Sequence, residues 1–270
     1  MQGKVHIVGA GPGAVDLLTV RAMSIIRSAE VVLHDDLVST EIVALAPASA
    51  EIISVGKRCG NHDMTQEKIN ALMIWYACSG RQVVRLKSGD PVVFGRLGEE
   101  VDALRRAGVP FEVVPGITAA SAAASAAGIS LTDRRSVSTL ALTTAHVCRP
   151  PNAESGWHGS DAERTTFAVY MPGPDYSRTA RQLIDSGLNA NTPCVLVSNA
   201  GRSKQQVCHI TLSDLPFALG IAPPAVLIVG EVARKRTREQ ELQAVNKFLE
   251  ENHDPIGNRN QNPPYQRAGA

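Results

Sequence analysis

The chain has 270 residues, with 27 lysines and arginines against 26 aspartates and glutamates, and 44% hydrophobic side chains. That length suits one large or two modest domains with a real core. The even charge balance and 4% aromatic content argue against a nucleic-acid binder, leaving room only for a local cationic cluster toward an anionic small ligand. Cys59, Cys78, Cys148, Cys194 and Cys208 form no C-x-x-C pair and lack histidine partners at metal spacing. Reduced thiols, no metal and an intracellular setting are therefore expected. The N-terminus is too brief for a signal peptide, and no apolar run reaches bilayer length, so a soluble cytoplasmic protein is expected.

Val5–Val8 reads as a strand that falls into Gly9-Ala10-Gly11-Pro12-Gly13, then into a helix with Leu18, Ala22, Ile25 and Ile26 on one face. A second strand, Val31–Leu33, leads to Asp35 and Asp36. Glycines followed about 20 residues later by an acid outline a dinucleotide site. Pro12 argues against one, because pyrophosphate rests on free backbone N–H groups and proline has none. Ala14 also stands where the last glycine of such a loop belongs. A tight turn that binds nothing is the other reading of this loop.

Ile52–Val55 is the third strand. The helix after it carries Ile69, Leu72, Met73 and Tyr76 on one face, with Asp63 and Gln66 spaced for a capping box. Val83–Leu86 and Phe111–Val114 flank a helix with Val101 and Leu104, stopped at Gly108-Val109-Pro110. Strands alternating with helices imply a mostly parallel, doubly wound α/β sheet, forming a domain over residues 1–115.

Pro115-Gly116 interrupts that rhythm, and the alanine and serine run to Gly128 reads as a helix lying close to a neighbour or to a ligand. A second α/β domain is placed over 119–240, with strands at Thr139–Thr143, Thr166–Tyr170, Val195–Ser198, Val207–Thr211 and Val226–Val229. One helix, Arg178–Ile184, and hairpin-like connections point to a mixed sheet. Residues 146–165 read as a polar loop, a charged helix follows Arg234, and 251–270 have the composition of disorder.

Carboxyl ends of strands in a doubly wound sheet share one edge, where ligands bind. Gly9–Gly13, Asp35, Lys57 and Ser88–Asp90 are therefore expected to converge. Lys57 and Arg58, with His62 nearby, form the local cationic patch.

The motifs G-A-G-P-G, D-x-L-V-S, V-G-K-R, R-L-K-x-G-D-P-x-V-F-G-R-x-x-E-E, V-P-G-I-T-A-A and Y-M occur in this order between about Lys4 and Val232. As a set they resemble the tetrapyrrole methylase family, and within it the members that methylate uroporphyrinogen III. The resemblance implies a two-domain α/β enzyme, usually a homodimer, with S-adenosylmethionine in the interdomain cleft. It implies methyl transfer to two ring carbons, giving precorrin-2 for siroheme or cobalamin synthesis. By motif, the cofactor contacts are Pro12, Ser88, Gly89, Asp90, Val93, Thr118, Ala119, Met171 and Ala200. Asp35 and Lys57 fall at the positions of a proton acceptor and donor. Arg58, His62 and Arg96 are candidates for the substrate's carboxylates, as are Arg134 and Arg135.

Several positions depart from the family pattern, namely Ala14, Asp36, Ser88, Ala145 and Pro172. They bear on substrate preference and turnover. A methylase of a later corrinoid, an NAD(P)-binding oxidoreductase and a non-catalytic ligand-binding descendant stay open as alternatives.

Overall fold

Five strands, β1 (Val5–Gly9), β2 (Val31–His34), β3 (Glu51–Ser54), β4 (Val83–Lys87) and β5 (Phe111–Val114), pair in parallel in the order β3-β2-β4-β1-β5. The structure is a computed structural model that describes residues 3–56, 64–145, 162–173, 175–218 and 220–235. Sheet strands covered on both faces need near-continuous apolar runs, which is what β1, β2 and β4 supply. On one face, α1 (Val20–Ile26) and α2 (Thr40–Val43) pack Ala22, Ile26 and Ile42 against Val8, Val32, Val84 and Leu86. On the other, α3 (Gln66–Cys78) and α4 (Leu97–Arg106) pack Ile69, Met73, Val101 and Leu104 against Val5, Ile7, Val31 and Leu33. The doubly wound architecture is as expected. Chain leaving β1 turns toward β2, and chain leaving β4 crosses to β5, so a crevice opens between these two strand ends.

Local chemistry corrects one expected helix start. Thr65, rather than an Asp63–Gln66 box, caps α3 by accepting the Lys68 N–H (3.4 Å). Asp63 lies outside the described residues, and the Gln66 amide turns to Asn70 (3.1 Å) and Glu100 (3.3 Å). The segment after Asp35 begins its helix at Thr40 with Ser39 in the cap position, which leaves Asp35 for other work.

The second sheet holds β6 (Thr139–Thr144), β7 (Thr165–Tyr170), β8 (Pro193–Ser198), β9 (Gln206–Thr211) and β10 (Ala225–Val229) in the order β6-β7-β10-β8-β9. Only β6–β7 is parallel, so the sheet is mixed, as its connections implied. One face takes Ala180 and Leu183 of α6 (Tyr176–Asp185) onto Phe167, Val169, Leu196 and Leu227. The other takes Ala123 and Ala124 of α5 (Ala119–Ala127) onto Val195, Val197, Val226 and Ile228.

Close packing thus accounts for the body of the alanine helix, while its first residues reach the site described below. Ala123 is fully buried. Ala123→Leu is expected to cost about 1–3 kcal/mol by overpacking, read as a lower urea midpoint at unchanged slope.

Both sheets belong to one compact unit, Met1–Ala233. Of the second unit, Arg234–Ala270, only residues 234 and 235 are described. The charged helix after Arg234, the segment 251–270 and residues 146–161 of the polar loop therefore lie outside the described residues.

Candidate active site

β1 and β4 end side by side, and the loops beyond them continue the pairing. Gly11 N–H donates to the Gly89 carbonyl (3.1 Å), and Gly89 N–H donates to the Gly11 carbonyl (2.7 Å). Each glycine sits in the left-handed region, at φ +64° and +69°, where a side chain is strained. The Ala10 N–H is also spent, on the Lys87 carbonyl (2.8 Å). With these donors used and Pro12 lacking one, the loop offers no cradle for pyrophosphate. A 3-10 turn, Val15–Leu17, follows it in place of the α-helix start that a phosphate needs. The dinucleotide reading fails on this geometry.

A cavity of about 510 Å³ opens over these loops, a size proper to small-ligand sites. Pro12, Ser88, Gly89, Asp90, Val93, Thr118, Ala119, Met171 and Ala200 all line it, together with Asp35 and Arg96. Val197, Pro224, Ala225 and Val226 bring an apolar wall from the second sheet. Lys57, Arg58 and His62 lie outside the described residues. Arg134 and Arg135 are not among the lining residues, and Arg135 closes on Asp133 at 2.9 and 2.7 Å.

The side chains in the cavity are tied down. Asp90 accepts the Val92 N–H (2.9 Å) on one oxygen and the Gly116 N–H (3.3 Å) on the other, so it braces its own turn. Tyr170 shares a 2.5 Å hydrogen bond with Thr118 Oγ1 and accepts the Ala120 N–H (3.3 Å) at the start of α5. Burial lifts its phenol above the ordinary value and keeps it neutral. Arg96 forks onto Glu99 with two bonds of 2.7 Å. Phe94, Arg96 and Met171, all lining the cavity, have φ of +51°, +54° and +48°, and Asn199 beside Ala200 has +51°. Backbone strain held at one place is a mark of a binding site.

Beneath the cavity lies an ionic array that sequence reading did not assemble. Arg85 and Lys87 alternate onto the α4 side of β4, each almost wholly buried. Arg85 Nη2 meets Asp35 Oδ1 at 2.5 Å and its Nε meets Glu100 Oε1 at 3.0 Å. Lys87 Nζ donates to the same Glu100 oxygen at 2.9 Å.

Two acids and two bases make a neutral set, the condition on which buried charges are tolerated. Burial opposes the Arg85 charge, yet Asp35 and Glu100 outweigh it and hold the guanidinium above its ordinary value. Burial, and then Arg85, push the Lys87 ammonium down. The consequence for the site is orientation: Asp35, with a third of its side chain exposed, is clamped by one oxygen at the cavity edge. A signal for this array was present. Two cations in the central strand V-V-R-L-K cannot stay buried without acids nearby, and Glu100 shares a helix face with Val101 and Leu104.

These features define a two-sheet α/β protein with a cavity of small-ligand size in the crevice at the carboxyl ends of its parallel strands. Residues 4–216 match the profile of the tetrapyrrole (corrin/porphyrin) methylases, and the chain belongs to that family. It is 44% identical over 234 residues to the uroporphyrinogen-III C-methyltransferase of Paracoccus denitrificans, covering 86% of this chain and 82% of that one. It is also 44% identical over 232 residues to siroheme synthase 1 of Yersinia enterocolitica, covering 86% of this chain and 49% of the relative. The chain thus spans about half the length of the siroheme synthases it matches. A crystal structure of uroporphyrin-III C-methyltransferase from Thermus thermophilus, complexed with S-adenosylhomocysteine, superposes with a TM-score of 0.72 at 37% identity, covering 86% and 99% of the two chains.

Proposed function

We propose that the chain is an S-adenosylmethionine-dependent C-methyltransferase that acts on uroporphyrinogen III at two ring carbons and yields precorrin-2. The observation that carries this reading is that one cavity is lined by all nine motif positions and by Asp35. The names borne by the Paracoccus and Thermus relatives, and the adenosylhomocysteine in the latter, support it. The residues present also fit such a donor. The Gly89 backbone faces open space, with only Ala119 N near an added Cβ, at 3.9 Å. Apolar walls suit a base, and Tyr170, Thr118 and Asp90 bring polar groups to the lining.

Once bound, S-adenosylmethionine supplies an electrophilic sulfonium methyl, which calls for neither a metal nor a covalent intermediate. What the chain adds is placement of a nucleophilic ring carbon in line, worth roughly 7–11 kcal/mol of a barrier. Val93, Val197 and Val226 keep water from the approach. Asp35 faces the macrocycle as positive charge grows on it, and its other oxygen takes the proton released after transfer. Arg85 holds the other oxygen, so the carboxylate cannot swing away. Lys57 serves as proton donor, while Arg58, His62 and Arg96 receive substrate carboxylates, each charge-assisted bond contributing about 1.5–3 kcal/mol.

In this reading residues 1–115 and 119–240 act as two lobes of a homodimeric cytoplasmic enzyme that feeds siroheme or cobalamin synthesis. Among the described residues no helix is long and apolar enough to cross a membrane.

Anaerobic incubation with S-adenosylmethionine and uroporphyrinogen III, followed by mass spectrometry, tests the proposal. Two added methyl groups are expected. One or three would redirect it to another tetrapyrrole, and none would leave a binding protein.

A further inference from the structure

Arg202 lies in the loop after β8 and reaches across the cavity mouth to residues 190 and 165 positions away. Its Nε donates to the Pro12 carbonyl (2.9 Å) and its Nη2 to the Leu37 carbonyl. Pro12 belongs to the loop after β1, and Leu37 to the loop after β2 that carries Asp35. One guanidinium from the second sheet therefore joins two ligand loops of the first. Those loops are also tied to each other, since Ser39 Oγ donates to the Gly13 carbonyl (2.7 Å).

The surroundings are shaped for this side chain. A Cβ at Gly13 would stand 2.6 Å from Arg202 Nε, so the glycine leaves the room that the guanidinium fills. Gly201, at φ +68°, brings its backbone so near that a Cβ would meet Leu17 Cδ1 at 2.8 Å and Pro12 Cγ at 3.0 Å. The acceptors are backbone carbonyls, not a carboxylate. Donors fixed in one plane on Nε and Nη2 serve the two oxygens at once, a geometry that the rotatable ammonium of a lysine does not hold.

We infer that Arg202 is a positioning residue, a tie that fixes the Asp35 loop and the Pro12 loop against the second-sheet wall so that proton acceptor and methyl donor face each other at a set distance. Its effect on turnover rests on the proposed methyl transfer, whereas the tie itself does not. Leu37 is two residues from Asp35, so slack there moves the carboxylate, and a displacement near 1 Å costs about 10²-fold in rate.

Arg202→Met keeps the apolar stem and removes both bonds. In the unliganded variant, amide hydrogen exchange at residues 13–18 and 35–39 is expected to lose about tenfold or more in protection, with β1, β4 and β8 unchanged. Unchanged exchange, or a loss spread over both sheets, overturns the tie. Turnover is expected to fall about 10²-fold while the Kd for S-adenosylhomocysteine stays within about threefold. A Kd that weakens as much as turnover falls would make Arg202 a donor contact and overturn the inference. Arg202→Lys is expected to recover little of the loss, because its shorter, rotatable ammonium does not fix two donors in one plane. Wild-type turnover in the lysine variant would overturn it too. Should the unsubstituted protein yield no methylated product, the proposed function fails by itself, and hydrogen exchange still decides the tie.

Discussion

Glu100→Gln is expected to destabilise the protein by about 3–5 kcal/mol, measured by urea denaturation at neutral pH. Glu100 is fully buried and is the acid between Arg85 and Lys87, which it reaches at 3.0 and 2.9 Å. The substitution keeps shape and volume, so the loss reports the charge together with an amide NH2 left where Glu100 Oε2 has no hydrogen-bond partner among the described residues. Two buried cations then face Asp35, and one of them is uncompensated.

The deficit has a pH dependence whose sign is fixed by Lys87. Burial, then Arg85, already hold this ammonium below the ordinary lysine value. A base with a depressed folded pKa lowers stability in full while both states keep the proton. That penalty fades as pH rises from the folded value toward the unfolded one, about 10.4. Loss of the Glu100 charge depresses Lys87 further, so the gap between variant and parent is widest at neutral pH and narrows toward about pH 10. Adding Lys87→Met to Glu100→Gln restores neutrality, and the pair is expected to be less harmful than the sum of its parts. A small deficit, flat with pH, would mean that the array is solvated and that Asp35 is not held by it.

Asp35→Asn is expected to lower methyl-transfer turnover by about 10²–10⁴-fold, the share that a positioned base contributes. Affinity for S-adenosylhomocysteine, measured by calorimetry, is expected to stay within about threefold, since Asp35 is not among the proposed donor positions, which line the cavity from the β1 and β4 loops, the start of α5 and the second sheet. Stability falls less than in Glu100→Gln, because a third of the Asp35 side chain meets solvent, which screens its pair with Arg85. A fully active Asp35→Asn protein would remove the residue from its proposed role.

The strands of the first sheet and their shared edge were legible because apolar runs alternate with helical patterns, and parallel sheets leave few arrangements for such a pattern. The same logic brings Pro12, Asp35 and Gly89 together from the sequence alone. Asp90 was readable as a polar group of the site but not as a brace, since its partners, the Val92 and Gly116 N–H groups, depend on how two loops fold together. The Asp63–Gln66 box missed because a better cap, Thr65, stands one residue before the helix and frees Gln66 for Glu100.

By itself, then, the sequence determined which segments are strands, which turns need glycine, and which loops gather at one end of the parallel sheet, for these follow from local conformational preference and periodicity. Only the tertiary structure decided how charge is balanced inside. Glu100 meets Arg85 and Lys87 because α4 packs on that face of β4, and Arg202 meets Pro12 and Leu37 because the second sheet docks over the first. Pairings of that kind are set by packing across long stretches of chain; the cations of V-V-R-L-K signal that acids must lie near, but spacing along the chain does not say which.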